Sequence, residues 1–278
     1  MTTHTVLKTH MGNSGPEDDV LEHETEQIAE HASEVGAERL DRSPYEALIT
    51  AIIGGGEVSI GGLAAMTVVG ALLTANPGLN LYAAVAAGGV AFPIGFLLVI
   101  LGRSELFTEN FLIPVAAVLK RERSIGSLLT LWLISWIGNL VGCAGTTILL
   151  LAPDAIGEPI RLGYTAYTEA KLEATPIGIL ASAVLAGGVM TAMTWVLLSV
   201  EHPVARIVAI FASGYVLFAA NMAHSIVSAS VLMVGIVDGP HTLTDLGAWM
   251  LLATIGNLLG GVGLVTLFRM AQAREQAK

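Results

Sequence analysis

Long apolar runs alternate with short polar stretches over most of the chain. Runs of about 20 apolar residues are long enough to cross the hydrocarbon core of a membrane. Six such segments lie at about 46–74, 79–119, 126–151, 175–199, 205–236 and 246–268. An even number of crossings predicts that both ends of the chain lie on the same side of the membrane.

Two of these segments are interrupted near the middle by polar residues. Segments 79–119 and 205–236 are too long for one crossing and too short for two, and they contain the sequences LGRSELFTENF and ANMAHSIVSAS. Backbone that leaves a helix at membrane depth must bond to protein or to cavity water, so such breaks are tolerated where they line a pore or a binding site. The pattern therefore predicts two broken helices.

A short repeat relates the two halves of the chain. The sequence WIGNLVG begins at Trp136 and TIGNLLG begins at Thr254, so that Asn139 lies 31 residues after Thr108 and Asn257 lies 33 residues after His224. Two copies of three segments form an inverted 3+3 repeat, because an odd number of crossings inverts the second copy. We expect an all-α membrane protein with six transmembrane segments, whose broken second and fifth helices face each other.

Composition and charge agree with a membrane protein and set its first residues apart. The mean hydropathy is +0.71, and only 13% of the residues are charged. Residues 1–47 hold eleven acidic residues against three basic ones. We expect 1–41 to be an acidic extension, largely disordered or a helix lying along other surfaces, followed by a channel domain at 42–270 and a tail at 271–278. The extension lacks the basic start and apolar run of a signal peptide.

Basic residues are distributed unevenly between the loops. The sequence KRER (120–123), Arg206 and the tail fall on the side of the N-terminus, whereas the opposite loops carry little beyond Arg161 and Lys171. By the positive-inside rule, both termini are predicted to be cytoplasmic.

Several classes of function lack the residues they need. Cys143 is the only cysteine, and one thiol with one membrane-depth histidine makes neither a disulfide nor a metal site. No basic patch suits nucleic acid, and the glycine-rich run 54–62 lacks the strand and lysine of a nucleotide site. We expect no cofactor and no enzyme activity, because no nucleophile, metal cluster or phosphate loop accompanies the carboxylates near Thr108.

The ionisable residues in the apolar zone need partners or water, because a charge at the centre of a membrane helix costs about 2.5–3.5 kcal/mol on insertion scales. Glu105 and Glu109 are expected to cap N–H groups at the break or to pair with Arg103, which is also the predicted partner of Glu57.

His224 is the membrane-depth group that can exchange protons near neutral pH. Two interpretations stay open for it. It could be a structural histidine bonded to Asn221 or Ser225, or it could be a functional group lying opposite Thr108.

The six segments, the sequence ELFTENF, the HS of the fifth segment and the pair GNLVG and GNLLG together resemble the formate/nitrite transporter family over 42–270. The resemblance implies an aquaporin-like protomer, a homopentamer with one pore per protomer, and a location in a prokaryotic plasma (inner) membrane. It implies that the pore passes small monovalent anions or their conjugate acids, with proton exchange at a central histidine.

The family's pore threonine and histidine match Thr108 and His224, and its anion-attracting lysine matches Lys171. The further candidate pore residues are Glu105, Phe107, Glu109, Asn110, Asn139, Ser225, Ser228 and Asn257.

The chain departs from the family pattern at two positions where the family places asparagine, which are occupied by Gly187 and Ser228. These departures leave the choice between formate, nitrite and hydrosulfide open. Two other functions stay open as well: a channel for neutral solutes or protonated acids only, and a membrane scaffold that recruits partners through its acidic extension.

Overall fold

The computed structural model describes residues 25–276, which form twelve α-helices with short connections. The helices are α1 (Thr25–Leu40), α2 (Pro44–Ala75), α3 (Leu81–Gly88), α4 (Pro93–Gly102), α5 (Ile113–Leu119), α6 (Ile125–Leu150), α7 (Glu158–Leu172), α8 (Pro176–Ser199), α9 (Pro203–Ala219), α10 (Ser225–Gly235), α11 (Leu243–Leu258) and α12 (Leu267–Gln276). A 3₁₀ turn (Phe107–Phe111) precedes α5, and a π-helical stretch (Leu259–Thr266) joins α11 to α12.

Five helical stretches within the described residues are long and apolar enough to cross a membrane. They are α2, α3 with α4 (Leu81–Gly102), α6, α8, and α11 through α12 (Leu243–Gln276). The predicted segment 205–236 is divided between α9 and α10, neither of which is long enough alone. The protein is therefore an all-α, multi-pass membrane protein that includes broken helices, as the sequence predicts.

Capping residues set the start of several long helices. The Ser43 hydroxyl accepts from the N–H of Glu46, and the Thr175 hydroxyl accepts from the N–H of Gly178. A proline follows each of these caps, where its missing N–H leaves no bond unmade. A cap of this kind contributes about 1 kcal/mol, and it marks the boundary between a polar loop and an apolar helix.

The two breaks begin in the same way. Arg103 ends α4 with a φ of 60°, and Asn221 follows the end of α9 with a φ of 52°. This left-handed conformation turns the chain out of the helix, and asparagine tolerates it better than most residues do. Beyond the breaks, the chain resumes as the 3₁₀ turn with α5 in the first half and as α10 in the second.

Glycines at matching places hold the helices of each half together. A Cβ atom at Gly55 of α2 would overlap the carbonyl of Asn139 in α6, and one at Gly187 of α8 would overlap the carbonyl of Asn257 in α11. Without a Cβ, two helices can approach each other closely. The equivalent contacts in the two halves agree with the predicted repeat.

Helix α1 packs against the membrane domain. Ile28, Ala29 and Ala32 are buried in a cluster with residues of α5, α8 and α12, including Trp195 and Met270. Residues 25–40 of the acidic extension form α1, and the rest of the extension (1–24) lies outside the described residues. Since α1 contacts α12, the two described ends lie on the same side of the molecule, called the α1 side below.

The predicted tail begins within α12, which continues to Gln276. The last two residues of that tail, 277 and 278, are outside the described part of the chain.

Candidate functional site

The two breaks meet through one hydrogen bond between side chains. Oγ1 of Thr108 lies 2.8 Å from Nε2 of His224, although 116 residues separate them in the chain. Both side chains are fully buried. Thr108 belongs to the 3₁₀ turn, and His224 is the residue that caps the N-terminus of α10. The predicted arrangement, with the breaks facing each other, is present.

The second nitrogen of His224 determines which way this bond runs. Nδ1 accepts a hydrogen bond from the N–H of Val227 at 3.1 Å, so it carries no proton. In a neutral imidazole the proton is then on Nε2, which donates to Oγ1 of Thr108. The hydroxyl hydrogen of Thr108 is thereby left free to be donated to another group.

Asn139 and Asn257 satisfy the backbone of the two breaks in equivalent ways. Oδ1 of Asn139 accepts from the N–H of Phe107, and its Nδ2 donates to the carbonyls of Ala51 and Glu105, each at 2.8 Å. With both donors and one acceptor occupied by the backbone, this amide positions the break.

The second half repeats this arrangement. Oδ1 of Asn257 accepts from the N–H of Ser225 at 2.8 Å, and its Nδ2 donates to the carbonyls of Ala183 and Ala223. We assign both asparagines to holding the breaks in place. The predicted pairing of each break with the GN repeat thus has a physical basis, because the asparagine supplies the bonds that the interrupted helix lacks.

Lys171 lies at the break of the second half, on the side opposite to α1. Nζ donates to the carbonyls of Asn221 and Met222 at 2.7 Å and lies 5.4 Å from the centre of the Tyr167 ring. The residue is only 4% exposed, and α7, which carries it, is not one of the long apolar helices. Burial lowers the pKa of Lys171 to about 7.

Aromatic rings connect this lysine to the histidine. The ring of Phe96 lies 6.5 Å from that of His224, Phe92 lies 5.0 Å from Phe96, and Phe218 lies 4.8 Å from Phe92. Tyr167 stacks on Phe218 at 5.5 Å. These rings form an apolar wall between Lys171 and the site centre.

Polar and aromatic groups surround Thr108 on the α1 side. Oδ1 of Asn110 accepts from Nη1 of Arg39 at 2.8 Å, and its Nδ2 donates to Glu105. The ring of Phe107 packs edge-on against Trp132, and Nε1 of Trp132 donates to the carbonyl of Asn110 at 2.9 Å. The 3₁₀ turn is thus held by side chains from both α1 and α6.

A cavity of about 870 Å³ opens on the α1 side of this turn. Its lining includes the side chains of Arg39, Arg42, Arg103, Arg206 and Glu109, which come from several separate elements of the chain. This cavity is called the α1-side cavity below. A charged cavity thus borders the turn that carries Thr108.

Comparison with known proteins identifies the kind of molecule that carries this site. The family model for "Formate/nitrite transporter" matches residues 26–271. The chain belongs to the formate/nitrite transporter family. It is a membrane transport protein and not an enzyme. The match includes residues 26–41, which belong to the acidic extension predicted to lie outside the family resemblance.

Two relatives are similar to this family member along most of its length. It is 29% identical over 248 residues to the "Probable formate transporter" of Methanothermobacter thermautotrophicus, covering 81% of this chain and 88% of the relative. It is 25% identical over 252 residues to the "Inner membrane protein YfdC" of Escherichia coli (strain K12), covering 89% and 78%.

Solved structures of this family share the fold. An "FNT family ion channel" matches with a TM-score of 0.76 at 22% identity, covering 89% of this chain and 98% of the other. A "Pentameric formate channel with formate bound" matches with a TM-score of 0.67 at 18% identity, covering 82% and 96%.

Two predicted partnerships in this transporter are wrong. Glu105 pairs with Arg42 at 2.9 Å and not with Arg103, because the chain places the α1–α2 connection against the break. Glu57 accepts a hydrogen bond from Ser104, the residue next to Arg103. The left-handed turn at Arg103 makes this contact possible by directing Ser104 back toward α2.

The structure also gives the hydrogen-bond partners of Glu109 and His224, the other two membrane-depth groups. Glu109 caps a freed backbone group, as predicted, by accepting from the N–H of Leu106 at 3.4 Å. His224 bonds to Thr108 and Val227, and not to Asn221 or Ser225 as its structural interpretation proposed.

The two departures from the family pattern occupy different surroundings in this transporter. A side chain at Gly187 would overlap the backbone of Asn257, so this position serves helix packing and has no room for asparagine. Ser228 is fully buried one turn after His224 in α10. Oγ of Ser225 is also buried and makes no hydrogen bond with another described residue.

Sequence reasoning missed Arg39, in the last turn of α1, and Arg42, in the α1–α2 connection, which contact Asn110 and Glu105 of the first break. The sequence does contain an indication of these two arginines, because they are basic residues in a segment that is otherwise strongly acidic. It also missed the aromatic wall, since isolated phenylalanines in apolar helices look like ordinary core residues.

Proposed function

We propose that this protein conducts small monovalent anions such as formate or nitrite across the membrane through the site centred on Thr108 and His224. The observation that carries the proposal is the buried bond between these two side chains, since it leaves one hydroxyl donor free where the two breaks meet. The formate channel and the probable formate transporter that resemble this chain support the choice of substrate.

An anion entering the site loses hydration and needs replacements for it. Lys171 contributes a cation that makes no ion pair with any carboxylate among residues 25–276. The N-terminus of α10 contributes the positive end of a helix dipole. The Thr108 hydroxyl contributes a hydrogen bond at the centre, and these terms together favour an anion over a cation.

The aromatic wall beside the centre makes a bare charge expensive there. Neutralising a weak-acid anion removes most of that cost. We therefore propose that the permeant accepts a proton during passage, with Thr108 as its direct hydrogen-bond donor and His224 as the group that exchanges the proton behind it. As the permeant leaves the centre, the proton returns through Thr108 to His224, so the histidine is restored and one negative charge crosses the membrane.

Assembly and orientation are part of the same proposal. The formate-bound channel that shares this fold is pentameric, which supports a homopentamer with one pore in each protomer. The clustering of basic residues in the loops of the α1 side supports a cytoplasmic position for both termini. The inner-membrane location of the Escherichia coli relative supports a plasma membrane location.

The test is flux and current measured together in proteoliposomes with formate, nitrite, acetate and a neutral solute. We expect anion-dependent transport in the wild type and its loss in His224→Phe. His224→Asn is the sharper variant, because asparagine keeps an oxygen that can cap the N–H of Val227 but lacks the donor that reaches Thr108. Size-exclusion chromatography would check assembly of each variant.

Unchanged anion transport in an intact His224→Asn protein would refute the central role of the histidine. Transport of the neutral solute alone, without any acid or anion, would refute anion conduction and favour the neutral-solute channel.

A further inference from the structure

Glu105 presents a problem for any anion passing Thr108. Its carboxylate is buried, with 1% of the residue exposed, and it lies three residues before Thr108 at the start of the break. Its side chain accepts from Asn110, whose amide is neutral. A negative charge buried beside the centre would repel the proposed permeant, because charges in a low-dielectric interior interact strongly.

Two guanidinium groups approach this carboxylate from the end of α1. Nη1 of Arg42 donates to Oε2 of Glu105 at 2.9 Å, and Nε of Arg39 lies 4.0 Å from the same oxygen. Arg39 also donates to Asn110, which in turn donates to Glu105. The two arginines, which line the α1-side cavity, thus surround with Asn110 one carboxylate that is buried behind its wall.

Helix α1 has an apolar attachment in addition to these ion pairs. Its apolar face packs Ile28, Ala29 and Ala32 into a buried cluster with α5, α8 and α12. A buried ion pair adds little net stability compared with apolar packing, because each partner loses its hydration. Compensation of the Glu105 carboxylate therefore explains the two arginines better than attachment of α1 does.

We propose that Arg39 and Arg42 are selectivity-determining residues that compensate the charge of Glu105 and so keep the pore selective for anions. This inference rests on the proposed anion conduction. With both arginines present, the surroundings of the carboxylate are positive and the turn that carries Thr108 admits anions. Without them, Glu105 is an unpaired negative charge beside the anion's route.

The other charges at this cavity are nearly balanced. Arg103 and Arg206 face it together with the acidic side chains of Glu109 and Glu201, and His31 adds a titratable group. Nη1 of Arg206 is occupied by backbone carbonyls, including that of Leu197. Without Arg39 and Arg42 the formal charges of the lining cancel, and the carboxylate of Glu105 leaves a net negative charge beside the cavity.

The experiment measures the reversal potential of the full-length protein in planar bilayers or proteoliposomes under a salt gradient of sodium formate. This potential gives the ratio of anion to cation permeability, a quantity that a merely structural contact would not change. The variants are Arg39→Gln with Arg42→Gln, the same pair combined with Glu105→Gln, and Glu105→Gln alone.

We expect the double arginine variant to lower the anion-to-cation permeability ratio by about tenfold or more, since an unpaired charge near an ion at an effective dielectric constant of about 20 has an effect of this order. The triple variant should restore the ratio, and Glu105→Gln alone should keep it or raise it. Arg123→Gln is the matched control, because Arg123 pairs with Asp41 outside the cavity.

Three results would overturn the inference. An unchanged ratio in the double variant would do so, as would a triple variant that stays as poorly selective as the double one. If the double variant does not assemble, the single variant Arg42→Gln is compared with Arg42→Gln combined with Glu105→Gln. Equal anion-to-cation permeability ratios in these two proteins would also refute the inference. Wild-type protein that conducts no anion would refute the proposed function as well. Anion-selective conduction by the wild type, with the same permeability ratio in the arginine variants, would refute this inference alone.

Discussion

Thr108 and His224 join two breaks that lie in opposite halves of the chain, through one contact of 2.8 Å between Oγ1 and Nε2. Each residue follows a left-handed turn in its own half, and each break is held by the asparagine of its own GN repeat. Because Nδ1 of His224 is occupied by the helix end, the histidine can only donate to the threonine. The threonine hydroxyl is consequently the donor available to a permeant.

Removing only the Thr108 hydroxyl should stop most transport while leaving the fold in place. Thr108→Val keeps the shape of the side chain but leaves Nε2 of His224 without an acceptor and the permeant without a donor. A buried group left unpaired costs about 1–3 kcal/mol, so anion flux should fall roughly 10- to 100-fold. Thr108→Ser retains the hydroxyl and serves as the control. The measurement is anion flux in proteoliposomes. Equal flux in the valine and serine variants would contradict the prediction that transport needs the Thr108 hydroxyl.

The two asparagines should contribute to stability in the same way. Asn139→Ala and Asn257→Ala each leave backbone groups of a break without partners, including the N–H of Phe107 or of Ser225, at about 1–3 kcal/mol for each group. We expect both variants to unfold at markedly lower temperature in detergent. Asn76→Ala is the control, since Asn76 is exposed after the end of α2. A thermal midpoint like that of wild type in either buried variant would show that water replaces the amide.

Equivalent glycines should be equally intolerant of a methyl group. Gly55→Ala and Gly187→Ala place a Cβ against the backbone of Asn139 or Asn257, which cannot move aside as a flexible side chain can. Overpacking of this kind costs about 1–3 kcal/mol or more. At Gly145 nothing lies within 4 Å of an added Cβ, so Gly145→Ala is the matched control. Thermal unfolding and the yield of assembled protein would test this, and a tolerated alanine at Gly187 would refute the close packing.

The sequence predicts the breaks well because polar residues in an apolar segment are rare and costly. The GN repeat predicts the relation between halves because the same asparagine must satisfy the same kind of break twice. Membrane-depth polar residues thus carry much of the structural information in this chain, and the sequence alone singles out Thr108, His224 and both asparagines.

Charge partners could not be predicted in the same way. Arg103 was the obvious partner for Glu105 by distance along the chain, yet Arg42 reaches it across 63 residues. That contact depends on where α1 and its connection pack, and the apolar face of α1 contributes to this through contacts with α5, α8 and α12. The aromatic wall could not be predicted from the sequence either, since its four rings come from four separate helices or turns.

Lys171 should make anion transport depend on pH near neutrality. Because burial lowers its pKa to about 7, its ammonium is charged below that pH and neutral above it. Anion transport that depends on this cation should therefore fall as the pH rises from about 6 to about 8. Since a lower pH also supplies more of the protonated acid, the informative quantity is the flux of the wild type divided by that of Lys171→Arg, whose charge is constant in this range.

We expect this ratio to fall across the range, while Lys171→Met transports slowly and shows no titration of its own near pH 7. The stability of the protein gives an independent check with a known sign. An unfolded lysine binds a proton up to about pH 10.4, so between the folded and unfolded pKa values the unfolded state holds more protons and the wild type should gain stability as pH rises. The methionine variant lacks this gain. Parallel pH profiles for wild type and Lys171→Met, in flux and in thermal unfolding, would show that Lys171 keeps one charge state throughout.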